Sequence, residues 1–320
     1  MTVAVLGLGS IGLRHARNLI ALGKTVAGFD PSADRCKALT DIGGRAVADR
    51  AALIRDAEAV VVASPNRFHL SDLSEAVEAG KPVFVEKPLS HTLGGAEALL
   101  NRAQAQGVPV FAALNLRFHP AVVEARKRIT AGELGHLLWG RLICASYLPD
   151  WRPGQDYRHG YASDPATGGV LFDIIHEFDV AHHLLGPATA VAAQARVSGT
   201  LEMRSEDVAD VLLRHQSGAT SSIHLDYITR PAQRVTEIAG SDGFLRLDIA
   251  GRRVTMTDTK GGVRLEKTYV TTFDDDYRDE MAAFLACAAG REKPLCDGRE
   301  ALAVLAQVIE ARQLAALPQA

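Results

Sequence analysis

The chain has 320 residues, 47% of them hydrophobic and 23% charged, with a formal net charge of -3. That composition supplies a full apolar core and room for two domains, which excludes a disordered chain. The balanced charge carries no basic run, against a nucleic-acid binder; Cys36, Cys144, Cys287 and Cys296 form no C-x-x-C pair, against a zinc knot or disulfide framework. No apolar run is long enough to cross a bilayer, and no cationic leader precedes the first strand, so a cytoplasmic protein with reduced thiols is expected.

An apolar strand over 3–6 runs directly into Gly7-Leu8-Gly9-Ser10-Ile11-Gly12, and Leu13, Ala16, Leu19 and Ile20 then recur at helical spacing up to Gly23. Glycines at this spacing let a strand turn sharply, bring main chain close to a pyrophosphate and pack the helix on its own strand. Gly7, Gly9, Ser10, Ile11 and Gly12 are therefore candidate cofactor contacts. A second strand over 25–29 ends in Asp30, about 20 residues beyond the glycines, where a carboxylate accepts hydrogen bonds from a ribose 2′-hydroxyl. The four features together predict a dinucleotide site. The charge of Asp30 favours NAD, and Arg35 keeps NADP as the second candidate.

The alternation continues, with helices predicted over 51–56, 70–79 and 93–106 and buried strands over 59–63, 82–85 and 108–113. Ser64-Pro65-Asn66 ends the first of these strands, with His69 just beyond, and Glu86-Lys87-Pro88 ends the second. Both breaks fall at the carboxyl edge of a parallel sheet, where ligands bind in open α/β proteins. Asn115, Arg117 and Phe118 follow the last strand and close a first domain, 1–118. Lys87 puts an ammonium on the same edge as the phosphate turn. Beside a nicotinamide it can donate to a substrate oxygen, exchange a proton with it or stabilise charge as hydride moves; otherwise it is a solvated lysine capping a strand.

Gly7 to Gly12, Ala63-Ser64-Pro65-Asn66 with His69, and Glu86-Lys87-Pro88 together resemble the glucose-fructose oxidoreductase and inositol dehydrogenase family, Gfo/Idh/MocA. The resemblance implies that Lys87 lies beside the nicotinamide and takes part in catalysis. It also implies that Ser64, Pro65, Asn66, His69, Glu86, Lys87 and Asn115 belong to the cofactor site.

Residues 119–320 read differently, beginning with a helix over 121–130 and a strand over 138–147. The loop 148–167 is long for a compact domain and contains Trp151, Arg152, Tyr157, Arg158, His159 and Tyr161. Aromatic faces stack on sugar rings and guanidinium forks grip carboxylates or phosphates. Trp151, Arg152 and Tyr157, with Arg117, are thus candidate substrate contacts, against the plainer reading that Trp151 and the tyrosines pin the loop down. Gly168-Gly169 opens one predicted helix over 170–185, on which Asp173, His176 and Asp179 recur every third residue. The residues alone allow a satisfied core network, a metal site with His183, or a proton-transfer pair. No further ligand cluster supports a metal, and none is expected. The family's second domain has a similar glycine lead and helix, and the resemblance implies that His176 works with Lys87 on a substrate hydroxyl or carbonyl, with Asp173 orienting its ring. Asp173 and His176 are three apart here, where the family more often has four.

Strands over 190–198, 207–215, 219–227, 234–240, 243–248 and 252–257 follow, then helices over 276–289 and 299–314. The expected fold is an N-terminal α/β Rossmann domain with a doubly wound parallel sheet, then an α+β domain with a predominantly antiparallel open sheet and helices on one face. The other face would serve a homodimer or homotetramer. The expected function is an NAD(P)-dependent oxidoreductase acting on CH–OH groups of a sugar, polyol or sugar derivative. A cofactor-binding regulator and a glycosidase or lyase using NAD transiently are the alternatives. Arg117, Arg152 and Arg158 raise an anionic sugar as substrate.

Overall fold

A computed structural model describes residues 1–151, 154 and 156–318. The chain forms two compact units, Met1–Asn115 with Asp274–Leu302, and Leu116–Phe273 with Ala303–Ala320.

The first unit contains strands β1 (Thr2–Leu6), β2 (Thr25–Phe29), β3 (Arg45–Ala46), β4 (Ala59–Val62), β5 (Val83–Val85) and β6 (Val110–Ala112). They lie in the order β3-β2-β1-β4-β5-β6 and every pairing is parallel, the doubly wound arrangement expected from the sequence. Helices α1 (Ser10–Ala21), α2 (Ala33–Asp41), α3 (Arg50–Asp56), α4 (His69–Glu78) and α5 (Ala96–Ala105) connect them. The Ala-Val-Val-Val of β4 is buried throughout because a central parallel strand is covered on both faces. Val60, Val62, Val83 and Val85 share one apolar cluster with Leu73 and Ala76 of α4. The sequence does not foresee α2, whose mixed composition hides it; Ser32 caps its start by accepting the Arg35 N–H.

The second unit contains α6 (Pro120–Thr130), β7 (Leu137–Ala145), α7 (Gly169–Asp173), α8 (His176–Leu185), β8 (Ala188–Arg196), β9 (Val208–His215), β10 (Thr220–Asp226), β11 (Gln233–Gly240), β12 (Gly243–Asp248), β13 (Arg253–Asp258) and β14 (Val263–Thr268). Its eight-stranded sheet has the order β14-β13-β12-β11-β7-β10-β9-β8, antiparallel except between β7 and β10. Along β9 burial alternates strictly from Val211 to His215, so one face is covered and the other exposes side chains such as Leu212. The helix expected over 170–185 is two helices, since Ile174 at φ -101°, ψ 35° leaves the helical region between Asp173 and His176. The loop 148–167 contains short 3₁₀ turns at Leu148–Asp150, Tyr157–His159 and Tyr161–Ser163.

Two long helices end the chain, α9 (Phe273–Ala288) and α10 (Gly298–Leu314). Residues Asp274–Leu302 cluster with the first unit, which a single division after Phe118 does not anticipate. Phe284 of α9 packs edge-on against Phe84 and Phe111 at 5.4 and 6.0 Å, and Asp297 bridges Phe111. Side-chain contacts of this range carry no local sequence signature.

His119 in the second unit gives the fold a calculable pH dependence. Its buried ring accepts the Ala121 N–H through Nδ1 at 3.3 Å, capping α6, and donates through Nε2 to the Ile249 carbonyl at 3.0 Å. Burial and the nearby Arg252 charge push its pKa down from 6.5 to about 4. The unfolded chain therefore takes up this proton first, and stability that is complete above the ordinary value is lost as pH falls toward the folded one. Acidification from pH 7 to pH 5 should remove about 2 kcal/mol through this residue. In urea titrations, His119→Asn should flatten the decline between these pH values; an unchanged slope would exclude His119 as its source.

Candidate active site

The turn after β1 is shaped by what cannot fit there. Gly7 has φ +89°, and a Cβ on it would lie 2.6 Å from the main chain of Ala63 and Ser64; a Cβ on Gly12 would lie 1.9 Å from the Gly7 carbonyl oxygen. These two glycines bring β1, the turn and α1 together. At Gly9 a Cβ would meet nothing within 4 Å, leaving open the side from which an anion approaches. Ser10 and Ile11 open α1, whose cap Gly9 contributes no side-chain hydrogen bond and whose first turn carries no acid. The leading N–H groups and the positive end of the helix dipole suit a pyrophosphate. Asp30 follows β2 with its carboxylate oriented by the N–H groups of Leu8 at 2.8 Å and Ser32 at 2.9 Å, and Arg35 Nη1 stands 3.4 Å away. These residues fit a dinucleotide.

The turns after β4 and β5 are tied together by one imidazole. The His69 ring nitrogens lie 2.7 Å from the Pro88 carbonyl oxygen and 2.8 Å from that of Ser64, and the residue is 1% exposed. The Ser64 hydroxyl donates to Asp72 at 2.6 Å, and Asp72 also pairs with Arg50. Pro65 caps the short 3₁₀ turn that begins at Asn66. Glu86 is buried, with His15 Nε2 2.6 Å from Oε1 and the Lys87 N–H donating to Oε2 at 3.1 Å. The Lys87–Pro88 bond is cis. Asn115 is buried at the start of the turn after β6.

In the second unit Asp173 accepts hydrogen bonds from two phenols, one from Tyr161 and one of 2.9 Å from Tyr227. Burial and the Asp173 charge push the Tyr227 phenol well up, so it remains a donor. Trp151 stands edge-on to Tyr227 at 5.5 Å and donates through Nε1 to Ser146 at 2.8 Å, while Tyr157 Oη accepts the Glu202 N–H at 3.3 Å. Leu148, Trp151, Tyr157, Tyr161 and Asp173 line one small cavity. Three residues expected to meet substrate are thus brought together. His176, two residues beyond the helix break, begins α8.

Arg117 lies elsewhere than the sequence suggests. It is 2% exposed, and its guanidinium grips Asp179 through Nε at 3.0 Å and Nη2 at 2.7 Å. Arg158 pairs with Asp156 and Glu202 at the surface. Arg152 lies outside the described residues. The two tyrosines on Asp173 escape sequence reasoning: Tyr227 stands 54 positions away, and Tyr161 is one aromatic among several in its loop. Among the described residues no group of three or more His, Cys, Asp or Glu is placed to hold a metal, and no helix is long and apolar enough to cross a membrane.

A six-stranded parallel sheet with a glycine cradle and an acid after its second strand, joined to an open sheet with buried acids, defines a two-unit dinucleotide-dependent enzyme. Residues 1–114 match the model of the oxidoreductase family with an NAD-binding Rossmann fold, and residues 122–246 match that of the GFO/IDH/MocA C-terminal domain. The chain belongs to the GFO/IDH/MocA family of oxidoreductases, and its first domain is an NAD-binding Rossmann domain. It is 30% identical to D-apiose dehydrogenase of Paraburkholderia graminis, covering 98% of this chain and 87% of the relative. It is 27% identical to scyllo-inositol 2-dehydrogenase (NAD(+)) of Bacillus subtilis, over 91% and 87% of the two chains. The structure of levoglucosan dehydrogenase in complex with NADH and levoglucosan superposes with a TM-score of 0.88 at 20% identity, covering 99% of this chain and 97% of that one.

Proposed function

We propose that this oxidoreductase is a dehydrogenase of uncharged sugars or polyols, in which Lys87 and His176 act on the hydroxyl of the carbon that is oxidised. The observation that carries the substrate class is the carboxylate of Asp173, held by two phenols in a cavity walled by Trp151 and Tyr157. Such a wall stacks on the apolar face of a sugar ring, and an ionised carboxylate accepts from sugar hydroxyls while repelling a sugar acid. Arg117 and Arg158, which would favour an anion, are engaged by protein carboxylates. Relatives named for D-apiose and scyllo-inositol support the same class.

The cofactor, when bound, supplies hydride acceptance and donation at its nicotinamide. In oxidation, the His176 imidazole removes the hydroxyl proton and the Lys87 ammonium stabilises the oxygen as charge develops; in reduction the roles reverse. Asp173 holds a neighbouring substrate hydroxyl and supports His176. The turn from Gly7 through Gly12 holds the pyrophosphate and Asp30 the adenosine ribose. Ser64, Pro65, Asn66, Glu86 and Asn115 form the wall toward the nicotinamide, with His69 bracing it from within. Arg117 acts through Asp179 as a positioning residue for α8. The protein works in the cytoplasm as a homo-oligomer, its exposed sheet face around Trp139, Phe244 and Leu212 meeting a second copy.

The test is NADH formation on a panel of aldoses, polyols, sugar acids and nucleotide sugars. Turnover is expected with neutral members. Turnover confined to sugar acids or nucleotide sugars would overturn the substrate class.

A further inference from the structure

Helix α1 does more in this fold than present its first turn to an anion. One and a half turns in, it carries His15, fully buried, with Nε2 2.6 Å from Glu86 Oε1 across 71 positions of sequence. The other oxygen of the same carboxylate accepts the main-chain N–H of Lys87. His15 Nδ1 has no hydrogen-bond partner; the ring stands edge-on to Phe84 at 4.9 Å and to Tyr277 at 6.2 Å. An Nδ1 among aromatic walls selects the tautomer that carries its proton on Nε2 and donates it to Glu86. Burial opposes the ionisation of Glu86, but the His15 hydrogen bond and the charges nearby outweigh it and hold the carboxyl below its usual range.

We propose that His15 is a positioning residue that couples the dinucleotide-binding turn to Lys87, by fixing through Glu86 the main chain that presents the lysine. The continuous path runs from the glycine turn along a rigid helix to an imidazole, a carboxylate and the lysine amide. All of it lies in the first unit. A ligand that orders the start of α1 orders the His15 ring with it, and the lysine is then held in one position. A purely apolar filler at position 15 would pack against Phe84 and Tyr277 equally well but would leave Glu86 with the Lys87 amide alone. The inference rests on Lys87 acting at the nicotinamide; the contact itself does not depend on which sugar is oxidised.

The experiment compares His15→Gln, whose amide nitrogen reaches as far as imidazole Nε2, with His15→Asn, whose amide falls short, and with His15→Leu. Hydrogen exchange of residues 83–90 is measured with and without NAD, alongside NAD affinity by calorimetry and steady-state kinetics on a substrate from the panel. In the wild type NAD should slow exchange at the Lys87 amide. In the Asn and Leu variants that amide should exchange at least about tenfold faster and lose its response to NAD, with kcat down by about tenfold or more and Kd for NAD altered by less than about threefold. The Gln variant should stay close to wild type on every count. Wild-type exchange and kcat in the Asn variant would overturn the proposal, as would a Gln variant that falls as far as Leu, the signature of a space-filling role. If the Leu variant does not fold, the Gln and Asn pair decides. The exchange result stands even if no sugar on the panel is turned over, so failure of the substrate assignment and failure of this coupling are separable.

Discussion

Replacing Lys87 by methionine is expected to lower kcat by about 10²- to 10⁴-fold while NAD still binds. Methionine keeps the length of the stem and removes the charge, so the loss reports the ammonium rather than packing. The same range is expected for His176→Asn, which keeps a polar group at the start of α8 but cannot exchange a proton. The two groups would serve one oxygen, one taking the proton and the other stabilising what remains, so the double variant should be little worse than the poorer single one. Single-turnover NADH formation measures the chemical step directly, and calorimetry checks that cofactor binding persists. Full activity in both single variants would remove these residues from the chemistry.

Arg117→Leu is expected to destabilise the second unit by about 3–5 kcal/mol, because it takes the guanidinium away from a buried Asp179 carboxylate. Arg117 and Asp179 have side-chain exposures of 1% and 0% and share three contacts between 2.7 and 3.1 Å. Asp179→Leu should cost a similar amount by taking the carboxylate away from the buried guanidinium. The double replacement should recover most of the loss, since taking two charges from water costs about as much as their attraction returns. Asp179 lies one turn into the helix that begins at His176, so partial recovery of stability need not restore the imidazole's position. Urea unfolding of the four proteins gives the coupling, and kcat of the double variant gives the positional effect. Additive losses would show that the pair is not a unit.

The fold of the first unit was legible because each requirement is local. The glycines of a phosphate turn, the apolar run of a strand buried on both faces and the acid after β2 lie within about 20 residues of one another, and each follows from backbone sterics or burial. The carboxyl ends of β4 and β5 are likewise marked by Ser64-Pro65-Asn66 and Glu86-Lys87-Pro88. The second half was less open. Asp173 and His176 look like neighbours on one helix, and only the backbone at Ile174 separates them into two. Arg117 in a polar-looking segment reads as available, yet its guanidinium is buried against a residue 62 positions away.

What the sequence by itself determined is the parallel sheet, the dinucleotide turn with Asp30, the lysine at the end of β5 and the long antiparallel stretch after α8. These depend on periodicity, glycine and proline placement, and charge at strand ends, which act over a few residues. What only the tertiary structure decided is which polar side chains face each other: Tyr161 and Tyr227 on Asp173, Arg117 on Asp179, His15 on Glu86 and His69 across two turns. Burying a polar group is costly unless a partner meets it, and the fold supplies those partners from anywhere in the chain.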